Sequence, residues 1–178
     1  MSVARALAVA GLPLLLAGGT VCLATSAQAD ATINVPVGDS AMVAAFAKAR
    51  ASLDDFLAKL EHPPAGTSRY SVKIGLKDGP ALGGFSISRP GDGDNEFFWI
   101  IDLRPSASGF SGRIGNEPES VKNVREGQTI SFVRDDIVDW MYFEAGKIKG
   151  NFTACPALAH GPREELELMR KRYGVDCG

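Results

Sequence analysis

Between Met42 and Leu60 apolar side chains recur every three or four residues: Met42, Ala45, Phe46, Ala49, Leu53, Phe56, Leu57 and Leu60, with Lys48, Arg50, Asp54, Asp55 and Lys59 between them. That spacing predicts a long N-terminal amphipathic helix with one face on the core and the other in water. Asp39 or Ser40 can cap its free N–H groups, and His62-Pro63-Pro64 ends it, because the residue before a proline is pushed out of the helical region. Ser52 followed by Asp55 makes a weak capping box, so the same stretch also reads as two shorter helices with a bend near Ser52.

From Arg69 the period changes to two. Tyr70, Val72, Ile74 and Leu76 alternate with Ser71, Lys73, Gly75 and Lys77, a half-buried strand stopped by Asp78-Gly79-Pro80. Further strands are predicted near 84–88, 96–103, 110–115, 129–133, 137–143 and 147–152, the last two joined as a hairpin across Glu144-Ala145-Gly146. The chain closes on a short helix. Pro162 sits at its first turn, Glu164 and Glu165 near its positive end, Arg170, Lys171 and Arg172 near its negative end, and Gly174 follows it. Leu166, Met169 and Tyr173 form its expected buried stripe.

Helix, then strands, then helix, with connections too short for helical crossovers, predicts an α+β fold with an antiparallel sheet of about five to seven strands. The pattern shows no repeat and no inner boundary, so residues 30–178 read as one domain.

The N-terminal segment changes the picture of where the chain works. Residues 1–29 hold a single charge, Arg5, then the apolar run Ala6 to Ala17 and the small-residue end Ala27-Gln28-Ala29. This predicts a signal peptide cleaved after Ala29 and a periplasmic or secreted protein. The apolar run is shorter than the roughly 20 residues of a spanning helix, so no membrane span is expected. Cys22 raises lipidation, but Val21 before it is larger than the small residue such sites use.

Losing Arg5 takes the formal charge from −2 to about −3, and the longest basic run is Arg170-Lys171-Arg172, which argues against a nucleic-acid partner. In an oxidising compartment Cys155 and Cys177 are expected to pair and to pin the C-terminal segment; a metal or redox pair would use shorter spacing.

Candidate chemistry is sparse. His62 and His160 sit in proline-flanked connections, and no H-x-x-H, H-E-x-x-H or G-x-S-x-G occurs. The loop from Gly91 to Glu96 carries Asp92, Asp94 and Glu96, but a calcium loop started at Asp92 would need Gly and Glu where Phe97 and Leu103 stand, so it reads as a turn. Asp135, Asp136 and Asp139 are candidates for paired acid/base carboxylates beside Trp140 and Tyr142; the plainer reading is a turn followed by a solvent-facing Asp139. Both faces of the strand at Ile137–Phe143 carry bulky apolar groups, which fits a central strand before it fits a patch for a partner. Neither a metal nor a cofactor is expected.

With those residues in view, the stretch from about Met42 to Thr153 resembles the YegJ-like family of bacterial domains of unknown function. The matching pieces are the Ala-rich helix running into Leu53-x-x-Phe56, the strand Tyr70 to Leu76, and Glu96-Phe97-Phe98-Trp99-Ile100. They continue through Phe110-Ser111-Gly112-x-Ile114-x-Asn116-x-Pro118, Gly127-x-x-Ile130-x-Phe132, Ile137-x-Asp139-Trp140-x-Tyr142, Gly146-Lys147 and Gly150-Asn151-x-Thr153. The resemblance implies a small α+β domain and brings no activity with it. The chain departs from the pattern at Phe97, where the family often carries His. Gly112, Gly127, Gly146 and Gly150 read as bulge and turn positions, and Asp139 as an acceptor for a neighbouring turn.

The functional expectation is a non-catalytic binding or interaction module for a protein or an envelope component. Its expected contact surface is the hairpin of Asp139, Trp140, Tyr142, Lys147 and Asn151. The alternative is a hydrolase of a cell-envelope polymer using Asp102, Asp136 and Asp139.

Overall fold

The structure, a computed structural model, describes residues 35–93, 95–175 and 177. The expected signal peptide and Asp94 of the acidic turn lie outside the described residues. Over the described residues the fold is α+β: four α-helices and a seven-stranded sheet in which every pairing is antiparallel.

The expected long helix is two short ones, α1 (Ser40–Ala51) and α2 (Leu53–Glu61). Asp39 caps α1 by accepting the Met42 N–H at 2.8 Å, as its side chain predicts. Ser52 breaks the run differently from a capping box. Its hydroxyl donates backwards to the Lys48 carbonyl at 2.8 Å, so it closes α1 and leaves the start of α2 without a side-chain cap. Ala45, Ala49, Leu53 and Phe56 are buried, and Leu57 and Leu60 pack at the edge of the core.

The strands are β1 (Thr67–Asp78), β2 (Phe85–Ser88), β3 (Glu96–Ser106), β4 (Gly109–Ile114), β5 (Thr129–Phe132), β6 (Ile137–Glu144) and β7 (Lys147–Gly150). Their order across the sheet is β5-β4-β3-β1-β6-β7, with β2 paired to the far end of β1 at Gly75–Asp78. β7 stops at Gly150, two residues short of the expected strand; a short helix that the sequence pattern did not predict, α3 (Ala154–Leu158), comes next, and α4 (Arg163–Tyr173) follows it. Ala145 and Gly146, at φ +48° and +77°, turn the β6–β7 hairpin.

One face of the sheet carries Val72, Ile74, Leu76, Phe98, Ile100, Trp140 and Tyr142 into a single core closed by Ala49, Leu53 and Phe56 of the helices and by Val121 and Val124 of the β4–β5 loop. Three bulges decide what faces it. An extra residue at Arg69 (φ +54°) lets Tyr70 join the core, one at Asp102 (φ +54°) turns Leu103 to the core edge, and Val138 separates inward Ile137 from Asp139.

The expected disulfide is present, joining Cys155 on α3 to Cys177. The expected buried stripe of the last helix is not: no residue of α4 is buried, and Leu166, Met169 and Tyr173 are only half-buried.

Candidate functional site

Opposite the core, β3 alternates Phe97, Trp99 and Ile101 outward, all half-buried and none in the core cluster. Phe97 lies against Phe46 of α1 with ring centres 5.6 Å apart. The Trp99 backbone is pinned from both sides of its peptide: its N–H donates to the Asn116 side-chain oxygen at 2.9 Å and its carbonyl accepts from Gly115 at 2.8 Å. Over the Trp99 ring, 4.5 Å from its centre, stands the ammonium of Lys73 from β1.

Sheet register makes this cluster. Trp99, Lys73 and Asp139 are cross-strand neighbours on β3, β1 and β6. Lys73 Nζ donates to Thr153 Oγ1 at 2.6 Å, and Thr153 Oγ1 donates to Asp139 Oδ2 at 2.6 Å. Asp139 also accepts the N–H groups of Trp140 at 2.8 Å, Phe152 at 3.3 Å and Thr153 at 2.9 Å. Burial pushes the Lys73 ammonium below its ordinary value of 10.5, and the Asp139 carboxylate pulls it back up.

A lysine, a hydroxyl and a carboxylate in line are the parts of a nucleophile relay. Access decides otherwise here: Thr153 is 2 % exposed and Asp139 0 %, so no substrate carbonyl can approach the hydroxyl. The relay is a polar staple that locks the β7–α3 turn to the sheet. Only the aromatic side of it reaches solvent, and only in part: Trp99 is half-buried, with Lys73 over its ring.

A second pair of carboxylates holds the β4–β5 loop. Glu96 accepts the backbone N–H groups of Glu119, Ser120 and Val121 at 2.9–3.1 Å, and the Ser120 hydroxyl at 3.0 Å. Burial alone would raise the Glu96 carboxyl; these donors outweigh it and hold it below its ordinary 4.5. Asp78 accepts from Lys122 N, Asn123 N and Asn123 Nδ2 at 3.0–3.1 Å, and the Lys122 N–H in particular lowers it. Among the described residues no buried side-chain nitrogen or oxygen lacks a partner. Two surface depressions lie elsewhere, one along the loop from Glu117 to Glu126 and one on the outer side of α4 around Leu168.

The five hairpin residues expected to form a contact surface do not lie on one. Asp139, Trp140, Tyr142 and Asn151 are buried, and Lys147 alone is exposed. Trp140 stacks on Phe56 with centres 5.0 Å apart and donates its indole N–H to the Ala49 carbonyl at 3.1 Å. Tyr142 stacks on Tyr70 at 5.2 Å. The physical reason is the register of β6 on β1, with its bulge at Val138, which turns both rings to the core face.

Asp139 is not solvent-facing either, contrary to the plainer sequence reading. Of the other proposed carboxylates, Asp136 is buried and accepts the Val133 N–H at 2.8 Å, while Asp102 pairs on the surface with Arg113 at 2.6 Å. Each is thus committed to the fold. His160 Nε2 lies 3.4 Å from Asp39, and His62 is an exposed residue at the end of α2. No group of three or more His, Cys, Asp or Glu among the described residues is arranged to hold a metal ion. No helix among them is long and apolar enough to cross a membrane.

Lys73, Trp99 and Thr153 were not singled out by the sequence pattern. A lysine on the polar side of an alternating strand reads as solvated, and its link to Thr153 spans 80 residues. Trp99 gives no local signal either, because Phe97 to Ile101 is an unbroken apolar run whose phase is set only by pairing with β1.

Comparison with known proteins places these features in context. No solved structure matches the chain. It is 33 % identical over 132 residues to the uncharacterized protein YegJ of Escherichia coli K12, covering 74 % of this chain and 76 % of that protein. It is 31 % identical over 83 residues to a putative ankyrin repeat protein of Neisseria meningitidis serogroup B, of which the match spans 33 %. A family model described as an uncharacterized protein conserved in bacteria (DUF2314) matches residues 39–176, so the chain belongs to that family.

Proposed function

We propose that this domain is a non-catalytic binding module of the bacterial periplasm or envelope, and that its contact surface is the outward face of β3 around Trp99. The observation that carries the reading is the half-buried row Phe97, Trp99 and Ile101 on a strand whose backbone is fixed on both sides, with the Lys73 ammonium held over the indole. A rigid aromatic with an adjacent cation is the kind of anchor that dominates binding energy at an interface. The carboxylates that a hydrolase would need are instead engaged with backbone N–H groups or with Arg113.

Export rests on the N-terminal pattern of Arg5, the apolar run and Ala27-Gln28-Ala29, and is supported by the Cys155–Cys177 bond, which persists in oxidising compartments. Cell fractionation tests it: the processed chain is expected in the periplasmic or secreted fraction, and an unprocessed cytoplasmic chain would overturn export. For binding, the purified protein and its Trp99→Ala variant are exposed to bacterial envelope extract on parallel resins. A component retained by the first and lost by the folded variant supports the reading. Equal retention removes Trp99 from the surface, and loss of binding together with a collapsed melting transition assigns the ring to stability.

A further inference from the structure

The C-terminal helix is held in an unusual way. In α4 none of the residues from Arg163 to Tyr173 is buried, and Leu168 is 53 % exposed. Its far end touches the sheet where Tyr173 meets the Phe143 ring edge-on, centres 5.9 Å apart, and where Gly174 passes the Lys147 stem. Burial of apolar surface, the main source of helix stability in proteins, is therefore small here. The covalent link runs from Cys177 to Cys155 on α3. That second anchor is firm: Ala154 and Leu158 of α3 are buried, and Thr153 before it is bonded to Asp139 and Lys73.

We propose that α4 is a redox-released strap, kept on the β6–β7 hairpin by the Cys155–Cys177 bond and set free when that bond is reduced. Both cysteines are half-buried, within reach of a dithiol. A dithiol reductant gives two electrons and two protons; the Cys155–Cys177 sulfur–sulfur bond breaks, two thiols form, and the reductant leaves as its own disulfide. Cys155 stays on α3, and the segment after His160 leaves. Phe143 then loses the Tyr173 ring and keeps the Arg69 guanidinium, which stands 5.2 Å from its centre on β1. The newly bared surface is Phe143, Arg69 and Lys147, at the opposite end of β6 from Ile137. This inference does not depend on the binding role of Trp99.

The test is amide hydrogen exchange on the whole protein, oxidised, and again after reduction with dithiothreitol and blocking with iodoacetamide. The amides of 163–175 are expected to exchange about a hundredfold faster once reduced, while those of β1, β3 and β6 stay within about twofold, the pattern of local opening. The double variant Cys155→Ser, Cys177→Ser is expected to match the reduced protein without any reagent. Unchanged protection of 163–175 in the reduced protein or in the double variant would overturn the strap. So would acceleration of every strand together, since α4 would then be part of the cooperative fold.

Discussion

β3 and β6 are both aromatic strands, and they use their rings in opposite directions. On β6, Trp140 and Tyr142 face the helices and are 8 % and 6 % exposed. On β3, Phe98 takes that place, while Phe97 and Trp99 look outward and remain half-buried. Composition does not separate the two strands. What separates them is the phase of alternation, set on β6 by the Val138 bulge and its register with β1. A tryptophan in a sequence is therefore evidence of a contact surface only once the phase of its strand is known.

The largest expected effect lies where the two strands are joined through Lys73. Asp139→Ala would orphan three backbone donors and the Thr153 hydroxyl and leave the Lys73 ammonium without its counter-charge. A loss of about 3–5 kcal/mol is expected in urea unfolding, with Asp139→Asn losing less because one acceptor oxygen remains. A loss below about 1 kcal/mol would show that the staple does not hold the β7–α3 turn.

Next comes the direct contrast of rings. Trp140→Ala removes a side chain stacked on Phe56 and Phe152 and the indole bond to Ala49, and is expected to cost about 3–5 kcal/mol. Trp99→Ala is expected to cost under about 1.5 kcal/mol, since its ring lies outside the core cluster, half-buried, and loses the Lys73 cation. Equal losses would erase the distinction between the strands.

The inner edge of β3 answers to acid. Because Glu96 is held below its ordinary 4.5 in the folded chain, the stability it contributes is fully present above that value and is lost as pH falls through its lowered folded value. Glu96→Gln should flatten the acid limb of a stability profile by removing this linkage, at a cost of about 1–3 kcal/mol at neutral pH. An unchanged acid limb would mean that other carboxylates dominate it.

The smallest effect is expected at Lys73→Met, within about 1 kcal/mol at neutral pH, because relief of a desolvated ammonium offsets the lost bond to Thr153 and Asp139 keeps its three backbone donors and the Thr153 hydroxyl. The lowered Lys73 makes the same point by sign. Its charge burdens the fold below its folded-state value, and that burden lifts as pH rises toward 10.5, so the variant should lack this alkaline gain.

Much of the frame could be read from the residues alone. The period-two run at Tyr70–Leu76, the cap at Asp39, the hairpin at Ala145-Gly146 and the Cys155–Cys177 pair all follow from local chemistry. The single long helix did not survive, because Ser52 bonds backwards to Lys48. The site was largely hidden for a different reason. Arg69 and Asp102 take positive φ without being glycine, so nothing local marks their bulges, and the Lys73–Thr153–Asp139 line exists only after β1, β6 and the β7–α3 turn have met. α4 shows the reverse case: its caps and charges were plain in the sequence, yet they say nothing about burial.

The chain has two tryptophans, which makes the opposite facing of the two strands directly measurable. Acrylamide quenching of Trp140→Phe, where Trp99 is the remaining emitter, is to be compared with Trp99→Phe, where Trp140 remains. Trp99 should be quenched readily and emit to the red, and Trp140 should be shielded and emit to the blue. Equal quenching of the two, or a shielded Trp99, would contradict the assignment of the β3 face as the open surface of this protein.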